Sequence, residues 1–92
     1  MGEDVVVTVQ GTPNPNAAKF TLNRTVAAQS ATYRDAASAS AAWAKALLGI
    51  AGVTQVFALN NFITVNKASN ADWNTIGPQV ERVLRDAFAQ RA

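Results

Sequence analysis

The stretch from Val53 to Lys67, VTQVFALNNFITVNK, has β-branched, aromatic and large aliphatic residues on both sides of Asn60-Asn61. This composition predicts a β-hairpin whose turn accepts positive φ angles. Because side chains alternate across a strand, the second half has Phe62, Thr64 and Asn66 on one face and Ile63, Val65 and Lys67 on the other, so that one face is more apolar than the other. A two-stranded ribbon is only marginally stable in water, so other segments must supply further strands and a covering layer.

Three more segments have the composition of strands. Val5–Gln10 is dense in β-branched residues, and its nearly continuous apolar pattern predicts a strand that is partly covered on both faces. Ala18–Leu22 alternates, with Phe20 and Leu22 on one face. Ser30–Tyr33 is a weaker candidate for a strand. With the hairpin, these segments predict an antiparallel sheet of about five strands.

An alanine-rich helix is predicted over Ala36–Leu48. Ser38 and Ser40 are the candidate N-caps. Gly49 and Gly52 bracket the C-terminal end of this helix, where left-handed backbone conformations are common.

A second helix is predicted by the apolar stripe that runs from Trp73 to Phe88. Ser69 is its candidate N-cap, with Asp72 three residues later as in a capping box. Pro78 lacks a backbone donor, so we expect either a kink or a short turn followed by a helix that begins near Pro78. The resulting order, β-β-β-α-β-β-α, predicts an α+β two-layer sandwich with two helices on one face of the sheet.

Length and charge narrow the possible functions. At 92 residues the chain has room for one hydrophobic core, so we expect a single domain over 1–92. The net charge is only +2 and the basic residues are scattered, which is not the clustered pattern of a nucleic-acid binder. No apolar run approaches the ~20 residues of a membrane span, and no signal peptide is recognisable. We therefore expect a cytoplasmic protein that binds neither nucleic acid nor membrane.

The sequence contains no cysteine and no histidine. Thiolate nucleophiles, imidazole bases and the usual ligands of zinc, haem and iron–sulfur clusters are therefore missing. The chain also shows no pair of carboxylates at a spacing useful for acid–base catalysis. We expect no enzyme activity, no metal and no cofactor bound by this chain alone, so that its role lies in contacts with other molecules.

The segment between the first two strands contains Pro13 and Pro15 on either side of Asn14. Each proline fixes its own φ and favours an extended conformation at the preceding residue. Such a stiff loop loses little conformational entropy when a partner binds. Two interpretations stay open, a binding loop and an ordinary turn.

Four sequence blocks carry a family resemblance: TPNPNAAKF at 12–20, YRDAASA at 33–39, GVTQVFALNNFITVNKA at 52–68 and DW at 72–73. Their order and spacing resemble the N-terminal domain of the Nfu/NifU-type iron–sulfur scaffold proteins. Full-length members of that family have a second domain whose CxxC motif holds a bridging cluster, and no residue here matches those cysteines. The resemblance implies an accessory role, in which the domain contacts client or delivery proteins. Whether the domain is free-standing or part of a longer scaffold stays open.

Five polar residues within or beside these blocks are the candidate binding residues: Asn14, Asn16, Lys19, Arg34 and Lys67. If the second, third and fifth strands lie near one another, the three cations converge beside the proline loop and form a site for a carboxylate or a phosphate. In the other interpretation the cations are solvated strand ends, and the two asparagines bond their own backbone.

Three further residues are interpreted as structural. Asp35 is expected to cap a helix or to form a local ion pair with Arg34, and Trp43 and Trp73 are expected to anchor the core.

The leading hypothesis is a non-enzymatic interaction domain associated with iron–sulfur cluster assembly or delivery. Its partner is expected to be a cysteine-bearing scaffold or a client protein. The surface proposed for this contact is the Thr12–Lys19 loop together with the edge near Arg34 and Lys67. The alternative is a stand-alone binder of a phosphorylated or other anionic ligand, such as a regulatory peptide, that uses the same basic residues.

Overall fold

The predicted hairpin lies at the centre of the sheet. In the computed structural model, which describes residues 6–39 and 41–88, β4 (Val53–Asn60) pairs with β5 (Phe62–Lys67) in antiparallel orientation. Asn60 has a φ of 55°, so the turn uses the left-handed conformation that the asparagine pair predicts. Ile63 and Val65 are buried, which confirms the predicted alternation along β5.

Three more strands complete the sheet: β1 (Val7–Gly11), β2 (Ala17–Leu22) and β3 (Ala27–Tyr33). The strand order is β1-β2-β5-β4-β3, and every neighbouring pair is antiparallel. β3 begins three residues earlier than the predicted Ser30. Val5, where the first strand was expected to begin, lies outside the described residues.

The prediction that the first strand is partly covered on both faces is wrong. β1 lies at the edge of the sheet, and four of its five residues are exposed. Val9 is 47% exposed although it belongs to an apolar run. The pattern misleads because a run of valine and threonine satisfies strand preference without indicating how much of the strand is covered.

The predicted helix over Ala36–Leu48 is two elements, a 3₁₀ turn at Ala36–Ser38 and α1 at Ala42–Leu48. Asp35 starts the 3₁₀ turn because its Oδ1 accepts a hydrogen bond from the Ala37 amide at 3.1 Å, which confirms its expected capping role. The N-cap of α1 is Ala41, which makes no side-chain capping bond, so Ser38 does not cap it. Ser40 lies outside the described residues.

Of the two glycines after α1, Gly49 is right-handed with φ −78°, whereas Gly52 has φ 96°. Only Gly52 therefore adopts the left-handed conformation expected there.

The second helix, α2, is continuous from Trp73 to Phe88 and contains Pro78 within it. Its N-cap is Asp72 rather than the predicted Ser69, because Asp72 Oδ1 accepts a hydrogen bond from the Asn74 amide at 3.0 Å. No separate turn precedes Pro78. The proline removes the helical donor to the Asn74 carbonyl, and since Asn74 is exposed, water can satisfy that carbonyl.

Both helices cover the same face of the sheet, as the two-layer prediction requires. The core joins side chains from the three central strands and both helices: Phe20, Leu22, Val56, Ala58, Ile63, Val65, Leu47, Ile76, Val80 and Leu84. No described helix has the length and apolar character needed to cross a bilayer.

Candidate functional site

The loop between β1 and β2 holds its own shape. Asn14 Oδ1 accepts a hydrogen bond from the Asn16 amide at 2.9 Å, and the Asn14 carbonyl accepts one from the Ala17 amide at 3.0 Å. The Thr12 hydroxyl lies 2.9 Å from the Asn14 carbonyl and accepts a hydrogen bond from the Asn14 amide at 3.1 Å. These local bonds agree with the interpretation in which asparagine side chains bond their own backbone.

Two other elements fix this loop to the body of the domain. The Trp73 indole N–H, at the start of α2, donates to the Pro15 carbonyl at 2.9 Å. At the end of β5, the Lys67 amide donates to the Asn16 carbonyl at 2.8 Å. Lys67 Nζ also donates to Asn16 Oδ1 at 3.0 Å and to the Ala68 carbonyl at 3.3 Å, and it lies 5.8 Å from the centre of the Trp73 ring. Asn16 and Lys67 are thus brought together, but as partners of each other.

Lys19 lies on the other face of the sheet. Its neighbour in sequence, Phe20, is completely buried under the helices, so Lys19 faces away from them. Its Nζ stands 4.6 Å from the centre of the Phe62 ring, which in turn packs against Phe57 at 6.2 Å. Lys67 shares the parity of the buried Val65 and therefore belongs to the helix-covered face.

Arg34 is remote from both lysines. It follows β3, and β5 and β4 separate β3 from β2. Three strand spacings place the end of β3 roughly 14 Å from β2. The condition for Lys19, Arg34 and Lys67 to converge is therefore only partly met, since β2 and β5 are neighbours but β4 separates β3 from both. Whether these residues bind a partner stays a prediction.

A groove of about 480 Å³ lies between β1 and the N-terminal half of α2, and the sequence did not predict it. We call it the β1–α2 groove. Its lining includes Val9 and Gly11 of β1 together with Trp73, Gly77, Pro78 and Glu81 of α2. Pro15 closes one end, where the loop meets Trp73. The signal in the sequence was the Gly77-Pro78 pair within an amphipathic stripe, which leaves one side of the helix without a large side chain.

Both tryptophans pack against the core while half-buried, as expected. Trp43, on α1, makes an edge contact with Tyr33 at 5.9 Å and a tilted contact with Phe88 at 6.1 Å. Trp73 packs on Phe20 at 6.3 Å. Unlike Trp43, it also lines the β1–α2 groove, which makes it a functional candidate as well as a core residue.

No cluster of three acidic, histidine or cysteine side chains that could hold a metal ion occurs within 6–39 and 41–88.

The geometry of the described residues defines a small two-layer α+β domain with a fixed loop, an adjoining apolar groove and one sheet face that no described element covers. A family model described as "Scaffold protein Nfu/NifU N terminal" matches residues 7–91. The chain therefore belongs to the family of Nfu/NifU N-terminal domains, as the sequence blocks indicated.

Similar proteins agree with this membership. The chain is 40% identical to the mitochondrial NFU1 iron-sulfur cluster scaffold homolog of Drosophila grimshawi over 90% of its own length and 29% of that protein. It is 34% identical to conserved virulence factor C of Staphylococcus aureus strain USA300 over 89% of its length and 22% of that protein. The chain thus spans less than a third of these curated relatives.

Solved structures confirm the fold. The crystal structure of protein SAV1430 from Staphylococcus aureus superposes with a TM-score of 0.78 at 31% identity, covering 89% of this chain and 99% of that one. The solution structure of a NifU-like protein from Saccharomyces cerevisiae gives a TM-score of 0.81 at 24% identity, over 94% and 80% of the two chains. At that identity the second likeness supports the fold alone.

The residues of this chain do not fit an iron–sulfur cluster. Such clusters are held by cysteine thiolates, and the sequence has none.

Proposed function

We propose that this domain is a non-enzymatic accessory module that contacts protein partners during iron–sulfur cluster assembly or delivery. Family membership supports the association with cluster assembly. The likeness to a protein named as an iron–sulfur cluster scaffold supports a partner from the same process. Since this chain has no thiolate of its own, its contribution would be recognition of the protein that carries or receives the cluster.

The observation that carries the proposal is the fixed loop at 12–17. An indole N–H from α2 and both the amide and the ammonium group of Lys67 hold it in one shape. A loop that is already ordered loses little conformational entropy when it binds. A surface that is held in one shape in this way supports recognition of a protein rather than chemistry on a substrate.

Several parts of the proposal remain predictions. We infer one domain over 1–92, a cytoplasmic location, a cysteine-bearing scaffold or client as partner, and no binding of nucleic acid or membrane. The scattered charge and the small net charge support the last point.

The five candidate residues now have different proposed roles. Asn14 and Asn16 shape the loop and Lys67 holds it, whereas Lys19 and Arg34 lie elsewhere on the surface. Contact of each with a partner stays a prediction. If Lys19→Ala and Arg34→Ala leave the affinity for the scaffold unchanged, Lys19 and Arg34 are not contact residues. The alternative of an anion site made by all three cations loses its support, because two of them lie on opposite faces of the sheet.

The test is an anaerobic NMR titration of the ¹⁵N-labelled domain with a separately produced, cysteine-bearing Nfu-type domain that carries a reconstituted cluster. We expect shifts in the amides of 12–17 and in the Trp73 indole N–H. Asn14→Ala should weaken the interaction, while Thr25→Ala, in the exposed segment between β2 and β3 at the other end of β2, should leave it unchanged. Absence of any shift at saturating scaffold would refute the proposal.

A further inference from the structure

We infer that the β1–α2 groove binds an extended segment of a partner protein that pairs with β1, inserts apolar side chains into the groove and places a lysine or arginine beside Glu81. This inference rests on the proposed function as an interaction domain and specifies the chemistry of the partner. Four observations carry it.

The first observation is the position of β1. Within the described residues β1 pairs only with β2, so its second edge has no partner strand there. In an edge strand, alternate residues point their N–H and C=O groups away from the sheet. These groups bind an extended backbone by adding a strand, which is a recurring mode of peptide recognition.

The second observation is the apolar space next to that edge. Val9 is 47% exposed and forms one wall, while the buried Phe20 and Ala18 lie beneath. Trp73 and Pro78 form the opposite wall. The volume of about 480 Å³ falls in the usual range of ligand pockets. A strand added beside β1 would point every second side chain into this space.

The third observation is the absence of side chains at two places on the walls. A Cβ at Gly11 would meet no atom within 4 Å beyond its chain neighbours, and a Cβ at Gly77 would meet none beyond its chain neighbours and the backbone of its own helix. Gly77 relieves the clash that a residue before proline has in a helix, so its presence has a local reason. No such local reason applies to Gly11, which lies in a strand, where glycine is destabilising. Both glycines leave room where an incoming side chain would lie.

The fourth observation is the charge of the groove. Glu81 is the only charged residue among the described residues that line it. Its ion pair with Arg85 is long, at 3.5 Å, and exposed, so it contributes little and is easily exchanged. The Asn74 carbonyl, which lacks its helical donor because of Pro78, adds a second acceptor on the same side. Together these two acceptors on the α2 side of the groove favour a basic side chain.

A second copy of this chain is a poorer occupant. Its own edge strand, Val7–Gly11, reads VTVQG and brings no cation to Glu81. A partner segment whose groove-facing positions are apolar except for one lysine or arginine fits both the apolar walls and Glu81.

The probe is the blocked peptide acetyl-VTKTVT-amide, in which both valines and the lysine share one face of a strand, titrated into the ¹⁵N-labelled full chain, with acetyl-VTETVT-amide as its charge-reversed counterpart. We expect the lysine peptide to shift the amides of Val9, Gly11 and Gly77 and the Trp73 indole N–H. The glutamate peptide should bind about tenfold more weakly, which corresponds to about 1.4 kcal/mol.

Two matched pairs of variants test the walls and the charge. Gly11→Leu fills the groove and should abolish binding, whereas Thr8→Leu adds the same side chain to the opposite face of β1, at a residue that does not line the groove, and should not. Glu81→Gln should remove the preference for the lysine peptide. Asp86→Asn, an exposed acid on α2 that is not among the groove residues, should keep it.

The possible outcomes separate cleanly. Shifts confined to the sheet face around Phe62, no groove shifts with the lysine peptide, or equal binding by Gly11→Leu and Thr8→Leu would overturn the groove assignment. Self-association in sedimentation that Gly11→Leu abolishes would also overturn it, because a second copy would then be the occupant. If the cluster-carrying scaffold binds Gly11→Leu normally, the groove assignment fails while the proposed function stands. If the lysine peptide binds the groove but the scaffold does not bind the wild type, the proposed function fails and the groove stands.

Discussion

The two tryptophans mark two ends of the helix layer that are built in different ways. Trp43 lies among aromatic rings, with Tyr33 and Phe88 at centroid distances of 5.9 and 6.1 Å. Nearby, Arg24 donates to the Phe88 carbonyl and so holds the described end of α2. Trp73, by contrast, has one aromatic neighbour, and its indole N–H fixes a loop.

The difference shows how one domain separates stability from recognition. Packed rings at the Trp43 end fill space through contacts that need no hydrogen-bond partner. At the Trp73 end, hydrogen bonds fix the position of the loop while leaving the β1–α2 groove of about 480 Å³ open beside a strand edge. The hollow beside Trp43 is smaller, about 280 Å³, and only residues of α1 and α2 line it. Hydrogen bonds thus fix the surface near Trp73, which is the end of the helix layer where packing is less complete.

The largest expected effect comes from truncating each tryptophan. Trp43→Ala and Trp73→Ala should each lower the free energy of unfolding by about 3 kcal/mol, since each removes a large half-buried ring from the core. Only Trp73→Ala should also shift the amides of the loop at 12–17, because only Trp73 bonds to it. Urea denaturation and ¹⁵N correlation spectra measure the two effects. If the loop shifts equally in both variants, the two ends are not independent.

The fold was largely predictable from local patterns. Hydrophobic residues repeat every second position in strands and about every 3.6 positions in helices. The hairpin, the alternation of Phe20 and Leu22, and the order of elements follow from these patterns, which depend only on nearby residues. The strand order does not follow from them. The bond between Lys67 and Asn16 joins residues 51 positions apart, and only the pairing of β2 with β5 brings them together.

The site was less predictable for the same reason. Lys19 and Lys67 are both lysines at strand positions, yet the parity of each strand relative to the core sends them to opposite faces. The caps show a similar limit. Asp35 and Asp72 were recognisable as capping residues, but the choice between Asp72 and Ser69 depends on where the chain first turns into the helix. The groove depends on how far α2 lies from β1, which no local pattern encodes.

The next largest effect is expected at Gly52, which lies close to Ala71 and Ile76 near the Trp73 end of the helix layer. Its φ is +96°, and an added Cβ would lie 2.8 Å from the Ala71 Cβ and 3.0 Å from Ile76 Cδ1. Gly52→Ala should therefore destabilise the domain by about 2 kcal/mol through backbone strain and crowding. A thermal melt measures this loss. Gly49→Ala, at a right-handed position, is the control and should change the midpoint much less.

A smaller difference should separate the two lysines. Lys67→Met keeps the aliphatic stem but leaves Asn16 Oδ1 without its ammonium donor, which should cost about 1 to 2 kcal/mol. Lys19→Met loses only a contact with the Phe62 ring, worth about 0.5 kcal/mol at such a site. Urea denaturation of both variants measures the two losses, and Asn16→Ala with the double variant Lys67→Met/Asn16→Ala completes the cycle that gives the coupling between Lys67 and Asn16. Equal losses would show that Lys67 does not fix the loop.

The smallest expected effect is of opposite sign and lies at the groove itself. Gly11 occupies a strand position with no atom near its missing Cβ, so Gly11→Ala should raise the free energy of unfolding by about 0.5 to 1 kcal/mol. A glycine required by the fold, such as Gly52, behaves in the opposite way. A gain in the melting midpoint of Gly11→Ala would show that the fold tolerates a side chain where the groove has none, so the space is not a by-product of packing. A loss would mean that Gly11 serves the fold, and the contrast between the two ends would then rest on Trp73 and the loop alone.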